Sequence, residues 1–539
     1  MNIQTFGGIR IFRPRLETEL DVRQELSAHL RSQFPIGTYT DKGKINAILQ
    51  HIFSFYGGLL SEALPPVAST HLLDFLLHQY DLYSDIEQLY MQRTLDPDED
   101  VQWGNISGIL RRAVKYIAER VVMLAPDEAP TGEETERLAI TDKIWICAEE
   151  MVNLYISSDS VYSIFPDDSV LEIFPPGAAH EYHIETTRDC PIRERVRLDL
   201  PNRASFISGP SLLSNSKEQD MIIGEALRES IGISYAEALN VLANIIKHAR
   251  PAPNGFPVLF LHKERTVDQC AGGLSINPEA VRRVIEGFTI SKANLESEGR
   301  EIWKPKQEYR AFRRGFFEVP HPTGPHLAFS KAMAAECFAQ LQRNVVFHQM
   351  PVEWLNANMR TSLNRLSNAA GAWFETVVES NLRTVGLSGA KSAKDRIGTS
   401  EHRMAIPQDV GEIDLILYSV TERLLVIGEC KLARDSYEPK LFRDDLSDFV
   451  QSKDAYITKF RKKVEWVRGN LNAVCQALQS THNYEPACAP ERVAAVIVTH
   501  VPSIAACFIP DYPCVSLTEL MLNYQSAGKW PYEKGVYIV

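Results

Sequence analysis

Apolar residues recur every three or four positions along residues 72–92 and 106–124, the signature of amphipathic helices, and this pattern dominates the first 200 residues. Helix breakers interrupt it. LAPDEAPTGEETERL (124–138) is acidic and proline-bearing, which predicts an exposed loop. SIFPDDSVLEIFPPGAAHEYHIE (163–185) alternates short apolar runs with turn residues, which predicts short strands. A domain boundary is placed near Pro201. Helical periodicity resumes from about residue 219 and ends at the ARPAPNGFP turn (249–257), ahead of a short strand, VLFLH. Asn277 and Pro278 supply the N-cap and first position of a further helix. Two extended runs around a Pro/Gly turn follow within 308–330, then an amphipathic helix over 331–350.

The stretch GEIDLILYSVTERLLVIGECK (411–431) carries the chemistry. Two apolar runs, 413–418 and 424–430, flank the polar segment SVTER, which predicts a β-hairpin. With the turn centred between Thr421 and Glu422, Ser419 faces Leu424 and Asp414 faces Glu429. Two carboxylates then meet across the strands, where Cβ atoms lie about 4.5–5.5 Å apart and like charges repel. Alternation places Glu429 and Lys431 on one face and turns Cys430 away. A hard, oxygen-seeking cation such as Mg²⁺ or Mn²⁺ converts that repulsion into coordination, through Asp414, Glu429 and the Cys430 main-chain carbonyl. Such an ion polarises a phosphoryl oxygen and activates a water, while Lys431 orients that water and offsets developing charge. The competing reading is a solvent-facing hairpin whose Lys431 makes a plain salt bridge.

The Asp of EIDLIL and the E-x-K of IGECK resemble the PD-(D/E)XK nuclease superfamily, the restriction-endonuclease-like fold; Ile413 stands where the nominal motif has proline. The resemblance implies a preceding helix bearing a glutamate. NAAGAWFETVVESNLRTVGL (368–387) looks like that helix, with an apolar stripe of Ala370, Trp373, Phe374, Val377, Val378 and Val385 and with Glu375 at its edge. Glu375 would reach the metal through water, and Glu379 is the substitute. Downstream, DFVQSKDAYITKFRKKVEWV (helix), VAAVIVTHV (strand) and PCVSLTELMLNY (strand into helix) continue the expected α/β core over roughly 357–525. Lys453, Lys459, Arg461, Lys462 and Lys463 make that helix basic, which suits sequence-independent phosphate contacts; a plain solvated face is the alternative.

Length and composition frame this reading. The 539 residues exceed what one core absorbs, so several domains are expected. We divide them into a mostly helical N-terminal domain with some β (1–200), a mixed α/β middle domain (201–356) and the α/β nuclease-like domain (357–539). With 45% hydrophobic and 23% charged residues the chain has globular usage. It shows no apolar run of membrane-spanning length and no secretory block at its start, so a cytoplasmic protein without membrane association is expected. The net charge of −12 argues against a protein that coats nucleic acid by bulk electrostatics. Residues 357–470, however, hold 18 Lys and Arg against 16 Asp and Glu. The nine cysteines are scattered without a C-x-x-C pair and read as buried thiols, with neither disulfide framework nor structural zinc indicated. GTYTDKGKI departs from a phosphate loop at its spacing and at Ile45, and His180 with His183 lacks a third ligand, so neither is taken as a site.

These observations lead to the expectation of a Mg²⁺- or Mn²⁺-dependent DNA endonuclease in a restriction or phage-defence role. Its N-terminal region would recognise substrate, regulate cleavage, bind a regulatory partner or assemble a homo-oligomer. Two alternatives stay open: a catalytically silent nuclease-like scaffold, and an RNase or structure-specific repair nuclease, since DNA and RNA present the same scissile group.

Overall fold

The computed structural model describes residues 2–124, 134–178, 180–188, 190–207, 211–249, 259–297, 302, 307–398, 403–434, 439–482 and 489–539. Residues 125–133 of the acidic stretch, 250–257 of the ARPAPNGFP turn and Cys488 lie outside them. The architecture mixes helices with several sheets and divides into two units: Met1–Thr187 with Ser216–Asn364, and Arg188–Asn215 with Arg365–Val539. Among the described residues no helix is long and apolar enough to cross a membrane.

The first unit is helix-rich. Lys42–Ala63 and Glu134–Asp159 pack together, as do Thr70–Met91 and Pro97–Leu124. Short strands at Ser169–Ile173 and Tyr182–Thr186 form the expected antiparallel pair, joined by Gly37–Tyr39. The GTYTDKGKI segment is thus a strand and a helix start, with the Asp41 carboxylate accepting from the Lys44 N–H. Asn277 caps its helix as read, accepting from the Glu279 N–H. Residues that the sequence assigns to two domains, 1–200 and 201–356, cluster here in one unit, less the 188–215 segment. Buried and half-buried charge ties them together: Glu119 meets Arg310 at 3.0 Å, and Glu336 takes Lys115 at 3.0 Å and Arg111 at 2.7 Å. Bonds spanning 191 to 225 residues leave no local trace in the sequence.

In the second unit we number α1 (Ile192–Phe206), α2 (Ala357–Thr384, entering the unit at Arg365), β1 (Ser388–Ala393), β2 (Ile413–Ser419) and β3 (Leu424–Lys431). There follow α3 (Pro439–Leu446), α4 (Tyr456–Gly469), α5 (Leu471–His482), β4 (Arg492–Thr499), β5 (Cys514–Ser516), α6 (Leu517–Ala527) and β6 (Val536–Ile538). β1, β2 and β3 form an antiparallel meander. The α3–α5 crossover returns the chain to β4, parallel to β3, with β5 parallel and β6 antiparallel against β4. Both faces of the sheet are covered. Phe374, Val378 and Leu382 of α2 and Leu517, Leu520 and Met521 of α6 pack on Leu415, Leu417, Val426 and Val496. Phe460, Val464 and Val467 of α4 and Val474 and Leu478 of α5 pack on Ile416, Leu425, Ile427 and Ile497. Double coverage explains why β2 and β3 read as continuous apolar runs rather than alternating ones.

Two features depart from the sequence reading. The boundary expected near Pro201 falls inside α1, and the whole 188–215 segment belongs to the second unit. There the Arg195 guanidinium grips Glu519 (2.6 and 2.8 Å), and Asp199 accepts from the Ser516 hydroxyl at 2.6 Å. Pro201, lacking an N–H, reads as a breaker, but anchors over 300 residues away hold the helix. The cysteines also differ from nine separate thiols. Cys190 and Cys507 form a disulfide across 317 residues, a separation no spacing pattern reveals. Cys147, Cys337, Cys430 and Cys514 are buried thiols as read, and Cys270 and Cys475 are half-buried.

Candidate functional site

The β2–β3 register follows the mirror point set by the turn, from Ser419↔Leu424 to Leu415↔Gly428. The ladder stops there, one position before Asp414 and Glu429. Instead of completing a backbone pair, the Cys430 N–H donates to Asp414 Oδ2 at 2.8 Å. On the other edge of β2, Lys391↔Leu415 and Ala393↔Ile413 pair while Ser392, between them, has φ +49°. Ile413 also packs in the same cluster as Ile416 and Tyr418, which strict alternation does not allow. The sheet is therefore distorted around Asp414, as strands are where a ladder is locally interrupted to re-aim a side chain.

The distortion gathers charge in a nearly dry place. Asp414 and Glu429 are 5% and 2% exposed. Lys431 Nζ lies 2.7 Å from Glu429 Oε1 and 3.6 Å from Asp414 Oδ2. Lys463 Nζ, from α4, lies 2.5 Å from Glu429 Oε2 and 3.6 Å from Asp414 Oδ1. Two carboxylates and two ammoniums thus alternate in a charge-balanced quartet. Burial works to lower the Lys431 pKa, but the attraction of Glu429 and Asp414 overrides it and leaves the amine above its ordinary range. The Lys431 ammonium also sits 4.9 Å from the centre of the Tyr456 ring, a cation–π arrangement. The Cys430 thiol, pushed well up by burial, packs away in the apolar layer under α2, and Cys430 pairs with Val498 in the β3–β4 ladder.

A third carboxylate adjoins this group. Glu375 lies on α2 at the edge of the apolar stripe and accepts from the Ser392 hydroxyl at 2.5 Å. Burial raises its pKa, the negative charges of Asp414 and Glu412 add to the rise, and the Ser392 hydrogen bond and Lys431 oppose it. Glu375 therefore feels both Asp414 and Lys431. Glu379, the substitute one turn on, is instead paired with Arg383.

The basic set on α4 is divided by the fold. Lys453 precedes the helix, and Lys453, Lys459 and Lys462 are exposed. Arg461 is exposed but holds Asp511 at 2.5 Å. Lys463 is not a surface phosphate contact: it is 7% exposed and belongs to the quartet. The signal was present in the sequence, since Lys463 falls on the same helical stripe as Phe460, Val464 and Val467. Ser392 was missed because nothing local marks a β residue with φ +49° that reaches back to a glutamate.

The donor set suits a hard divalent cation: two buried carboxylates, with a third half-buried one beside them. Three of the four Asp414 and Glu429 oxygens accept a hydrogen bond or a close ammonium contact, and the fourth, Asp414 Oδ1, faces Lys463. Among the described residues no group of three or more His, Cys, Asp or Glu is arranged as a metal cage. Holding an ion here therefore requires lysine amines to give way. No protein-family model, curated protein or solved structure matches the chain.

Proposed function

We propose that Asp414, Glu429 and Lys431, with Glu375 alongside, form a divalent-metal-dependent phosphodiesterase site, and that the protein is a nuclease, with DNA as substrate, in a restriction or phage-defence role. The observation that carries this reading is the quartet itself. Buried ion pairs are poor devices for stability, because desolvating each ion costs several kcal/mol and an apolar replacement is often as good or better. Four such groups set where the sheet ladder is broken open point to chemistry.

Asp414 and Glu429 would hold Mg²⁺ or Mn²⁺, with Glu375 reaching it through water. When bound, the ion supplies Lewis-acid polarisation of a phosphoryl oxygen and an activated water. Lys431, held cationic beside Glu429 and Asp414, would orient the attacking water and offset charge on the phosphoryl oxygens. The exposed Lys453, Lys459 and Lys462 offer positive charge to neighbouring phosphates without reading bases. The helix–meander–crossover–strand order of the second unit supports the resemblance to the PD-(D/E)XK superfamily.

One observation favours a catalytically silent scaffold: the amines already neutralise both carboxylates. The two readings part on cleavage. Full-length protein is incubated with linear and circular double-stranded DNA, single-stranded DNA and RNA, in EDTA, Mg²⁺ or Mn²⁺, beside Asp414→Ala and Lys431→Ala. Metal-dependent cutting of DNA lost in both variants is expected. Cutting of RNA alone would reassign the substrate, and no cutting together with no metal binding would favour the scaffold.

A further inference from the structure

Lys463 reaches Asp414 and Glu429 from a separate element, and its position is imposed by packing. On α4 it lies between Phe460 and Val464, with Val467 one turn on, all at most 1% exposed against the sheet. The helix cannot shift without opening that core, so the Lys463 stem is rooted beside the two carboxylates and only its flexible end can move. Its amine is the more enclosed of the two: the Lys463 side chain is 9% exposed and that of Lys431 22%. It also makes the shortest contact in the group, 2.5 Å to Glu429 Oε2, while facing Asp414 Oδ1 at 3.6 Å. Those oxygens are the ones a divalent ion needs. A like charge a few ångströms from a cation opposes its binding, and it does so strongly where water is scarce.

We propose that Lys463 is an internal counter-cation that competes with divalent metal for Asp414 and Glu429, so that metal loads only as the Lys463 amine is displaced. The inference rests on the metal-site reading above and adds a regulatory role: Lys463 sets how readily the site takes up its ion. It is a positioning residue acting through the carboxylates. Because Lys431 remains to pair Glu429, loss of Lys463 leaves the site more negative by one charge without stripping it of every cation.

The test is Mn²⁺ binding by isothermal titration calorimetry to the full-length protein, with no substrate present. Wild type is compared with Lys463→Gln, Lys463→Met, Lys463→Arg and Asp414→Ala. Removing one adjacent charge is expected to tighten Mn²⁺ binding by about tenfold or more in Lys463→Gln and Lys463→Met, on the scale of nearby-charge effects. Lys463→Arg, which keeps the charge, should bind as wild type does, and Asp414→Ala should not bind at this site. Lys463→Met keeps the length of the buried stem, so a folding defect confined to Lys463→Gln does not remove the test. Equal or weaker binding in Lys463→Met than in wild type, with wild-type binding still dependent on Asp414, overturns the counter-cation role and leaves the nuclease reading standing. Absence of Mn²⁺ binding in wild type and in both neutral variants overturns the inference and the metal-site reading together.

Discussion

Breaking the Lys463–Glu429 pair from both sides should cost no more than breaking it from one. In Coulomb terms two unit charges 2.5 Å apart attract by roughly 6–7 kcal/mol at an effective dielectric of about 20. Desolvation of two side chains that are 9% and 3% exposed takes back most of it. The net worth of the pair is therefore small, whereas stranding one partner is expensive. Lys463→Met leaves Glu429 with Lys431 at 2.7 Å and should cost about 3 kcal/mol, the low end for a broken buried pair. Glu429→Gln leaves two ammoniums sharing Asp414 at 3.6 Å and should cost about the same. The double variant leaves a balanced Asp414–Lys431 pair, so its cost should also be about 3 kcal/mol rather than about 6, a coupling at the upper end for contacting residues. Amide hydrogen exchange in EDTA reads this on peptides covering 413–431 and reports the second unit by itself. Each single variant should lose about a hundredfold in protection, at about 1.4 kcal/mol per factor of ten, and the double variant no more. Additive losses would refute the quartet as a coupled buried unit.

Further consequences concern the rest of the chain. Burial opposes ionisation of Glu336, but Lys115 and Arg111 override it and hold its carboxyl down at about 2, below its ordinary 4.5. Its stabilisation is therefore complete above about pH 4.5 and is lost as pH falls toward 2. Glu336→Gln should remove that acid sensitivity from the first unit and cost about 2 kcal/mol at pH 7, the pKa shift discounted for a side chain 31% exposed, read by urea unfolding at several pH values; unchanged acid sensitivity would contradict this. A Cβ on Gly389 would lie 2.1 Å from the Ile416 carbonyl oxygen, a backbone atom within the ladder. Gly389→Ala should thus destabilise the second unit by about 2 kcal/mol or more, seen as lost exchange protection in β1 and β2. Cys190 and Cys507 should resist alkylation until reductant is added, while Cys270 and Cys475 react beforehand; free thiols at 190 and 507 in mass-mapped peptides would contradict the disulfide. Lys459→Ala and Lys462→Ala should each flatten the salt dependence of DNA binding by about one unit of log–log slope, and an unchanged slope would remove them from the interface.

The hairpin was legible because its information is local. A polar turn of known centre fixes register, and register carried Asp414 and Glu429 to the same end of the sheet. The α2 stripe was legible for the same reason: Phe374, Val378 and Leu382 repeat at helical spacing, which placed Glu375 at the edge. What escaped depends on distance or on a broken rule. Strand β1 escaped because SGAKSA has little β-forming character and owes its extended form to pairing with β2. The expected boundary near Pro201 cuts through helix α1, because Arg195 and Asp199 find their partners far along the chain at Glu519 and Ser516. Lys463 reads as one of five basic surface residues in the sequence, and only the apolar stripe beside it, which faces the sheet, marks it as buried. At Asp414 the alternation of side chains fails, and the departure coincides with the candidate chemistry, as expected where local rules yield to a site.

The most direct test is to locate the ion. Crystals of the full-length protein grown with Mn²⁺ would be measured for anomalous scattering, beside Asp414→Ala crystals treated alike. The account predicts a Mn²⁺ peak bound by the Asp414 and Glu429 carboxylates, with the Lys463 amine moved off Glu429, and no peak there in Asp414→Ala. Mn²⁺ bound elsewhere, or none at all with both lysines still seated on the carboxylates, would contradict it.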